Sequence, residues 1–263
     1  MDLSIIIPVY NSENILKKLV SEIEKSTSKS SLKKEIILIN DCSKDNSWET
    51  IKSLQKKNKS LKGINLQDNF GQHNAIMAGL NLCTGKICVL MDDDMQHHPK
   101  YIMKIYEKLL NGYDICYVKY LNRKHLKWKI FVSWLNNIIS SILAFKPIKI
   151  YTSSFKGFKK NITSNIIKFK DKEVFLDWLI LNQSKKIAII EVVHQKRFLG
   201  KTNYNLIKLL ELWSIMIMKI KPNSKLHFLF LFLPKIFVNI LVYPLVKKRN
   251  KNKQYKIKEK IFK

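Results

Sequence analysis

Apolar positions divide the first half of the chain into short unbroken runs and longer, spaced ones. Ile5–Ile7 is an unbroken run closed by Pro8, the pattern of a strand buried on both faces. Ile15, Leu16, Leu19, Val20 and Ile23 then recur at helical spacing and predict an amphipathic helix. The alternation continues. Ile36–Ile39 reads as a strand, the polar stretch Asn40–Ser47 as a turn, and Ile51 with Leu54 as a second helix. Gly63–Gln67 reads as a third strand and Ala75–Leu82 as a helix, with Gly85 placed to end it. Ile87–Met91 is a fourth strand. Pro99 suits a first helical turn, Ile102, Ile105, Tyr106 and Leu109 continue that helix, and Gly112 ends it before a fifth strand, Tyr113–Val118.

Strands and helices alternating at this spacing predict βαβ units, hence an α/β fold with a mostly parallel sheet. Such sheets bind ligands outside the carboxyl ends of their strands. Three polar clusters occupy those ends, Pro8–Glu13, Asp41–Asp45 and Asp92–Gln96, and are expected to meet on one rim. The second half is less regular. Leu126–Phe145 and Leu206–Ile220 read as long apolar helices, Ser153–Phe158 and Ile187–Val193 as strands, and Val174–Leu181 as a helix. Leu226–Val246 is the most apolar stretch, and the residues after Lys247 are almost all Lys, Arg, Asn and Gln. No internal repeat is visible.

Composition narrows the class. The 46% apolar fraction is that of a folded protein, and only 7 Gly and 6 Pro argue against a loop-rich all-β architecture. Lys and Arg number 48 against 20 Asp and Glu, a formal net charge of +28. That excess favours polyanions: nucleic acid, an anionic membrane surface or phosphorylated substrates. No helix-turn-helix, zinc-finger or RNA-binding signature accompanies it, so nucleic acid is not expected as a partner. Cys42, Cys83, Cys88 and Cys116 show no metal-binding spacing and read as reduced thiols. No signal peptide precedes the first strand.

The sharpest chemical signal is D-D-D-M-Q, Asp92 to Gln96, directly after the fourth strand. Mg²⁺ prefers one or two carboxylates plus substrate phosphates. Alternate residues Asp92 and Asp94 can address one ion, while Asp93 points toward the sugar or the protein. Three like charges at a sheet rim repel one another unless a cation compensates.

Five stretches, in order, carry a family resemblance: I-I-I-P-V-Y-N-S-E from Ile5, N-D-C-S-K-D-N-S from Asn40, N-F-G-Q-H-N-A-I-M-A-G from Asn69, D-D-D-M-Q-x-x-P ending at Pro99, and R-F-L-G-K-T-N-Y from Arg197. Together they resemble family-2 glycosyltransferases of the GT-A fold. Within those they look most similar to the polyprenyl-phosphate branch, the dolichyl-phosphate mannose synthases and undecaprenyl-phosphate aminoarabinose transferases. The resemblance implies a GT-A domain over 1–205, an interfacial helix and hydrophobic anchoring segment over 206–247, and a basic cytoplasmic tail over 248–263. It assigns the nucleotide-sugar to Pro8, Tyr10, Glu13, Asp41, Asp92, Asp93 and Lys201. It assigns Mg²⁺ or Mn²⁺ to Asp92, Asp94 and Gln96, and a diphosphate-facing cation to Arg197. The segment Asn69–Gly79 is read instead as packing, with Ala75, Ala78 and Gly79 allowing a helix close to the sheet and His73 as a structural histidine. There are departures: Asn40 and Cys42 replace an Asp and the Gly of the second motif, Asp68 replaces a basic residue, His97–His98 stands where D-P or N-P is common, and Asn203 replaces Lys.

The implied reaction is inverting displacement at an anomeric carbon, with charge building on the departing diphosphate. An acceptor phosphate arrives ionised, whereas a sugar hydroxyl needs a base. Candidates for that base are Asp177, Glu173 and Asp93, and the resemblance favours a polyprenyl phosphate over a lipid-linked saccharide. An anionic membrane is the expected surface, approached from the cytoplasmic face, and homo-oligomerisation is compatible with this reading. A span needs about 20 apolar residues. Leu226–Val246 has that length but holds Pro234, Lys235, Asn239 and Pro244, and a mid-bilayer Lys costs roughly 2.5–3.5 kcal/mol. Lys219, Lys221 and Lys225 precede it and Lys247–Lys251 follow. Basic flanks at both ends predict a monotopic or re-entrant anchor, with a single crossing or a buried soluble helix pair as the alternatives.

Overall fold

A computed structural model describes residues 1–28, 31–121, 152–172, 174–193 and 253–262. The chain divides into two compact units: Met1–Leu126, Lys149–Gly200 and Lys253–Lys263 form one, and Lys127–Ile148 with Lys201–Asn252 the other, which lies outside the described residues. The expected helices 126–145 and 206–220, the apolar stretch 226–246, Glu173, Arg197 and Lys201 all fall outside them as well. Among the described residues no helix is long and apolar enough to cross a membrane.

The first four βα repeats form as the apolar pattern requires. Strands β1 (Leu3–Val9), β2 (Lys34–Asn40), β3 (Leu61–Leu66) and β4 (Ile87–Leu90) alternate with helices α1 (Glu13–Thr27), α2 (Ser47–Lys57), α3 (Gln72–Leu80) and α4 (Ile102–Leu110). There follow β5 (Ile115–Leu121), β6 (Lys156–Lys159), α5 (Lys160–Ile166), α6 (Leu176–Leu181), β7 (Ile187–Val193) and β8 (Ile257–Ile261). The eight strands make one sheet in the order β7-β5-β6-β4-β1-β2-β3-β8.

Side chains of β1 explain its unbroken apolar run. Leu3, Ile5, Ile7 and Val9 enter the core layer shared with α1, α2 and α4, while Ile6 enters the opposite layer with α3, α5 and α6. Both faces are dry, so both alternating sets are apolar. Helix α3 lies close on the second face because Gly79 has no Cβ. One placed there would sit 2.7 Å from Ile6 Cγ2 and 2.8 Å from Ile39 Cδ1. The packing expectation for Ala75, Ala78 and Gly79 is met, and all three are buried.

Three expectations are corrected. Pro8 does not end β1, which continues to Val9. Pairing of β1 with β4 stops at Ile6, so beyond it the strand has one neighbour fewer and a missing N–H is tolerated. Gly85 does not end α3, which stops at Leu80; it instead allows close approach to β1, since a Cβ would meet Ser4 N at 2.6 Å. The sheet is mostly parallel, as expected, and gains two antiparallel strands: β6 inserts between β4 and β5, and β8 pairs with β3. Finally, the stretch expected as a basic tail is from Ile257 to Ile261 an edge strand. Its charged residues Lys258, Glu259 and Lys260 are exposed, which keeps an open edge from pairing with another chain.

Candidate active site

Because β1, β2, β3 and β4 are mutually parallel, their carboxyl ends share a rim. The three polar clusters meet there. The backbone N–H of Tyr10 donates to Asp93 Oδ2 at 3.1 Å and Ser12 Oγ donates to the same oxygen at 2.5 Å. The second cluster is laced to the first. Asn11 N donates to Ser43 Oγ at 3.0 Å, Lys44 N to Asn11 Oδ1 at 2.8 Å and Ser12 N to Ser47 Oγ at 2.9 Å. Glu13 N donates to Asp45 Oδ2 at 3.1 Å, and Glu13 Oε2 accepts the Asn46 N–H at 2.7 Å.

The rim is conformationally strained. Among the described residues, the non-glycine positions with left-handed backbone are Asn11 (φ 55°), Cys42 (φ 57°) and Met95 (φ 60°), one in each cluster. Such outliers persist where surrounding structure over-determines them and concentrate at functional sites. Cys42 stands where the resembled family carries Gly, and the retained φ gives the physical reason for that Gly.

The three adjacent aspartates have separate environments. Asp92 Oδ1 accepts the Gln72 amide at 2.7 Å, while Oδ2 accepts Ser154 Oγ at 2.6 Å and lies 3.2 Å from His97 Nε2. Burial alone would raise its pKa, but the bonds from His97 and Ser154 outweigh it and hold the carboxyl below its ordinary value. His97 is buried, its other ring nitrogen meets the Tyr120 hydroxyl, and its ring stacks on that of Tyr120 at 5.1 Å. Asp93 is pushed up to about 6, first by burial and further by the charges of Asp92 and Asp94, against the bonds from Ser12 and Tyr10. Asp94 Oδ1 accepts the backbone N–H of Gln96 at 3.0 Å.

Asp41 sits 3% exposed and accepts the N–H groups of Phe70 and Gly71 at 2.7 and 2.8 Å. It thus fixes the turn that starts α3. Tyr10, by contrast, presents a side chain 37% exposed at the rim. Pro8 is buried inside β1. His73 is a satisfied structural histidine: Nδ1 accepts the Leu176 N–H at 3.2 Å, and burial lowers its pKa to about 4. Asp177, on α6, is tied to buried Lys156 of β6, and accepts the Tyr117 hydroxyl at 2.8 Å. The four cysteines are free, as expected.

Several residues at the rim were given no role from the sequence. Ser12 and Asp45 lie inside quoted motifs without an assigned role. Gln72, on α3, also lies inside a quoted motif without an assigned role, whereas Ser154, Tyr120 and Lys156 come from the approach to β6, from β5 and from β6, and no local pattern marks them. His97 was visible only as a departure from the family's usual residue.

The donor set can be tested against a divalent cation. Among the described residues no three His, Cys, Asp or Glu side chains form a ready-made metal cluster. A hard cation held by one or two carboxylates and a substrate diphosphate needs no such cluster. Asp92 and Asp94, with Gln96, stand together on the loop after β4 and bring the hard oxygen donors that such a site uses. The residues fit Mg²⁺ or Mn²⁺ on those terms.

Comparison with known proteins follows the same residues. Residues 4–167 match the model of glycosyl transferase family 2. An undecaprenyl-phosphate 4-deoxy-4-formamido-L-arabinose transferase of Pectobacterium atrosepticum is 28% identical over 212 residues, covering 80% of this chain and 65% of the relative. The transferase of the same description from Aeromonas hydrophila is 29% identical over 210 residues, covering 80% and 64%. The chain therefore spans just under two thirds of the length of these curated relatives. Among solved structures, S. aureus TarS 1-349 in complex with UDP-GlcNAc superposes with a TM-score of 0.55 at 17% identity, covering 96% of this chain and 77% of that one. Glucosyl-3-phosphoglycerate synthase from Mycobacterium tuberculosis, in complex with Mn²⁺ and UDP-glucose, gives 0.61 at 13% identity, covering 83% and 79%. At such identities the likeness is one of fold, a mixed GT-A-like sheet flanked by helices. The family match covers the strands that build the rim and the loops that meet on it, and the chain belongs to glycosyl transferase family 2.

Proposed function

We propose that this chain transfers a sugar, with inversion, from a nucleotide-sugar donor to a polyprenyl phosphate, using Mg²⁺ or Mn²⁺, at the cytoplasmic face of a membrane. The observation that carries the reading is the convergence on one rim of Asp92–Asp94 with the loops after β1 and β2, joined through Asp93 to Tyr10 and Ser12. The nucleotide lies across the ends of β1, β2 and β3. Tyr10 offers its exposed ring to it, while Pro8, Glu13, Asp41 and Asp93 shape the loops it rests on. Asp94, with Asp92 and Gln96, holds the cation and diphosphate, and Arg197 and Lys201 supply further positive charge. The cation, when bound, neutralises charge on the departing diphosphate.

The acceptor is a phosphate rather than a hydroxyl on two grounds. The curated relatives are described as undecaprenyl-phosphate transferases. Asp177, the leading candidate for a base, spends its charge on Lys156. A phosphate acceptor needs no proton removed.

A panel of nucleotide-sugars with released diphosphate as the readout tests the donor side, repeated with Asp94→Ala. Turnover should fall about 10²–10³-fold in the variant, the scale of losing one preorganised electrostatic contact at a developing charge. Sugar transfer to undecaprenyl phosphate by the purified chain tests the acceptor. Transfer solely to a lipid-linked saccharide would reject the phosphate reading and return Asp177 to the role of base.

A further inference from the structure

Away from the rim, two thiols meet where α3 gives way to β4. Cys83 follows the end of α3, Cys88 lies in β4, and both side chains belong to the core layer on the α3 face of the sheet. Their sulfurs are 3.3 Å apart. Each has a further partner. Cys83 Sγ donates to the carbonyl of Leu80 at 3.3 Å, at a helix end whose last carbonyls lack intrahelical donors. Thr163 Oγ1, on α5, donates to Cys88 Sγ at 3.3 Å.

The turn between the two cysteines is pinned to β1 and β2. Thr84 N and Thr84 Oγ1 donate to Oε1 of buried Glu35 at 2.6 and 2.9 Å, and Gly85 N donates to Ser4 Oγ at 2.8 Å. Ser4 Oγ in turn donates to Glu35 Oε1 at 2.5 Å. A turn held at these points keeps the sulfurs facing one another. Disulfide sulfurs lie about 2.05 Å apart, so closing the pair needs an approach of only about an ångström, within reach of rotation about the two Cα–Cβ bonds. Access is unequal. Cys83 is half-buried and Cys88 buried, so a reagent in solution reaches Cys83 first.

We propose that Cys83 and Cys88 are an oxidisable pair that closes to a disulfide within the folded chain and staples the end of α3 to β4. With a small-molecule disulfide as the oxidant, Cys83 loses its proton and its sulfur attacks the reagent, displacing one thiolate. The Cys88 sulfur, its proton also lost, attacks Cys83 Sγ and displaces the second. The balance is two protein thiols and one small disulfide in, one protein disulfide and two small thiols out. Cys83 is pushed up by its bond to Cys88 and by burial, so the first attack sets the pace. Bonds from Cys83 and Thr163 hold Cys88 below the ordinary thiol value against burial, which suits it to the second attack. That attack is intramolecular, between sulfurs already in contact. The helix stapled at one end carries at its other end Gln72, whose amide holds Asp92 at 2.7 Å. The inference rests on the packing of α3 against the sheet and not on the transfer reaction.

The test exposes the folded full chain to oxidised glutathione, blocks the remaining thiols with iodoacetamide and maps the peptides by mass spectrometry. Cys83 and Cys88 should be recovered as one linked peptide lacking two hydrogens, with Cys42 and Cys116 outside the linkage. Cys83→Ser should leave Cys88 a free thiol, and Cys88→Ala should stop at a glutathione adduct on Cys83. Because the cross-link removes loop entropy from the unfolded chain, the oxidised chain should unfold about 4–8 °C above the reduced one. Dithiothreitol should return the midpoint. Recovery of both cysteines as alkylated thiols overturns the proposal. So does a lasting glutathione adduct on Cys83 of the native chain, a link from Cys83 to Cys42 or Cys116, or a Cys83–Cys88 link that forms only in urea. An oxidised midpoint at or below the reduced one overturns it as well, since the bond then strains the fold rather than stapling it.

Discussion

Replacing Lys156 by Met tests what Asp177 is for. Lys156 is 3% exposed, and its ammonium is held by the Asp177 carboxylate, whose side chain is 15% exposed. Breaking a buried ion pair by removing one partner costs about 3–5 kcal/mol, because the other charge stays behind in a poor solvent. In Lys156→Met the Tyr117 hydroxyl still donates to Asp177 at 2.8 Å, so the cost falls near the lower end, about 3 kcal/mol. In Asp177→Leu the stranded ammonium keeps the Tyr117 ring, 5.3 Å from its centroid, a contact of about 0.5–2 kcal/mol, and the loss is again about 3–5 kcal/mol. Removing both charges together leaves one buried hydroxyl without its acceptor, about 1–3 kcal/mol. The single losses sum to about 6–8 kcal/mol, so the double variant should be more stable than that sum by at least about 3 kcal/mol. Urea unfolding followed by tryptophan fluorescence measures all three. Additive losses would refute the pairing. Turnover of Asp177→Asn separates pairing from base chemistry. A lost base slows transfer about 10²–10⁴-fold in a chain that remains folded, whereas a lost charge partner slows it in step with stability.

Other outcomes follow from the same geometry. Cys42→Gly should raise stability by up to about 1 kcal/mol, since left-handed backbone costs an L-residue about 1–2 kcal/mol and glycine returns part of that as unfolded-state entropy. A thermal midpoint that falls instead would contradict the strain argument. Asp41→Ala should cost about 2–5 kcal/mol by stranding the Phe70 and Gly71 N–H groups, and Asp41→Asn less, because its amide oxygen still accepts one; equal denaturation midpoints for the two would be inconsistent with this. Glu35 gives a pH dependence. Burial raises its pKa, but bonds from Lys62, Ser4 and Thr84 outweigh that, so the folded value lies below the ordinary 4.5. A depressed acid stabilises fully above its unfolded pKa and loses that contribution as pH falls toward the folded value. The stability gap between the native chain and Glu35→Gln should therefore be flat above pH 4.5 and shrink below it. A gap that widens in acid would reverse the sign of the argument.

Local physics made much of the protein legible from its residues. Unbroken apolar runs announced strands buried on both faces, and helical spacing announced α1 and α4, because burial period is a property of a few neighbouring positions. The small residues of α3 announced its close approach to β1 and β2, since a missing Cβ has the same consequence wherever the helix docks. The acidic cluster after β4 and the glycine-like demand at Cys42 were visible as motif positions.

Tertiary structure decided what depends on register between distant segments. Asp92 is held by Ser154, 62 residues away, and Lys156 meets Asp177 only because β6 enters between β4 and β5. The orientation of Glu13 and Asp41 was likewise beyond the reach of their motifs. The fold turns both carboxylates toward backbone N–H groups that need an acceptor. The C-terminal residues I-K-E-K-I read as a charged tail because an edge strand buries little and its pattern is mostly solvent-facing. Its place is fixed by the space above Gly63, which exists only once β3 and α2 have come together. A sequence states which faces must be buried; which partner buries them is settled by the whole sheet at once.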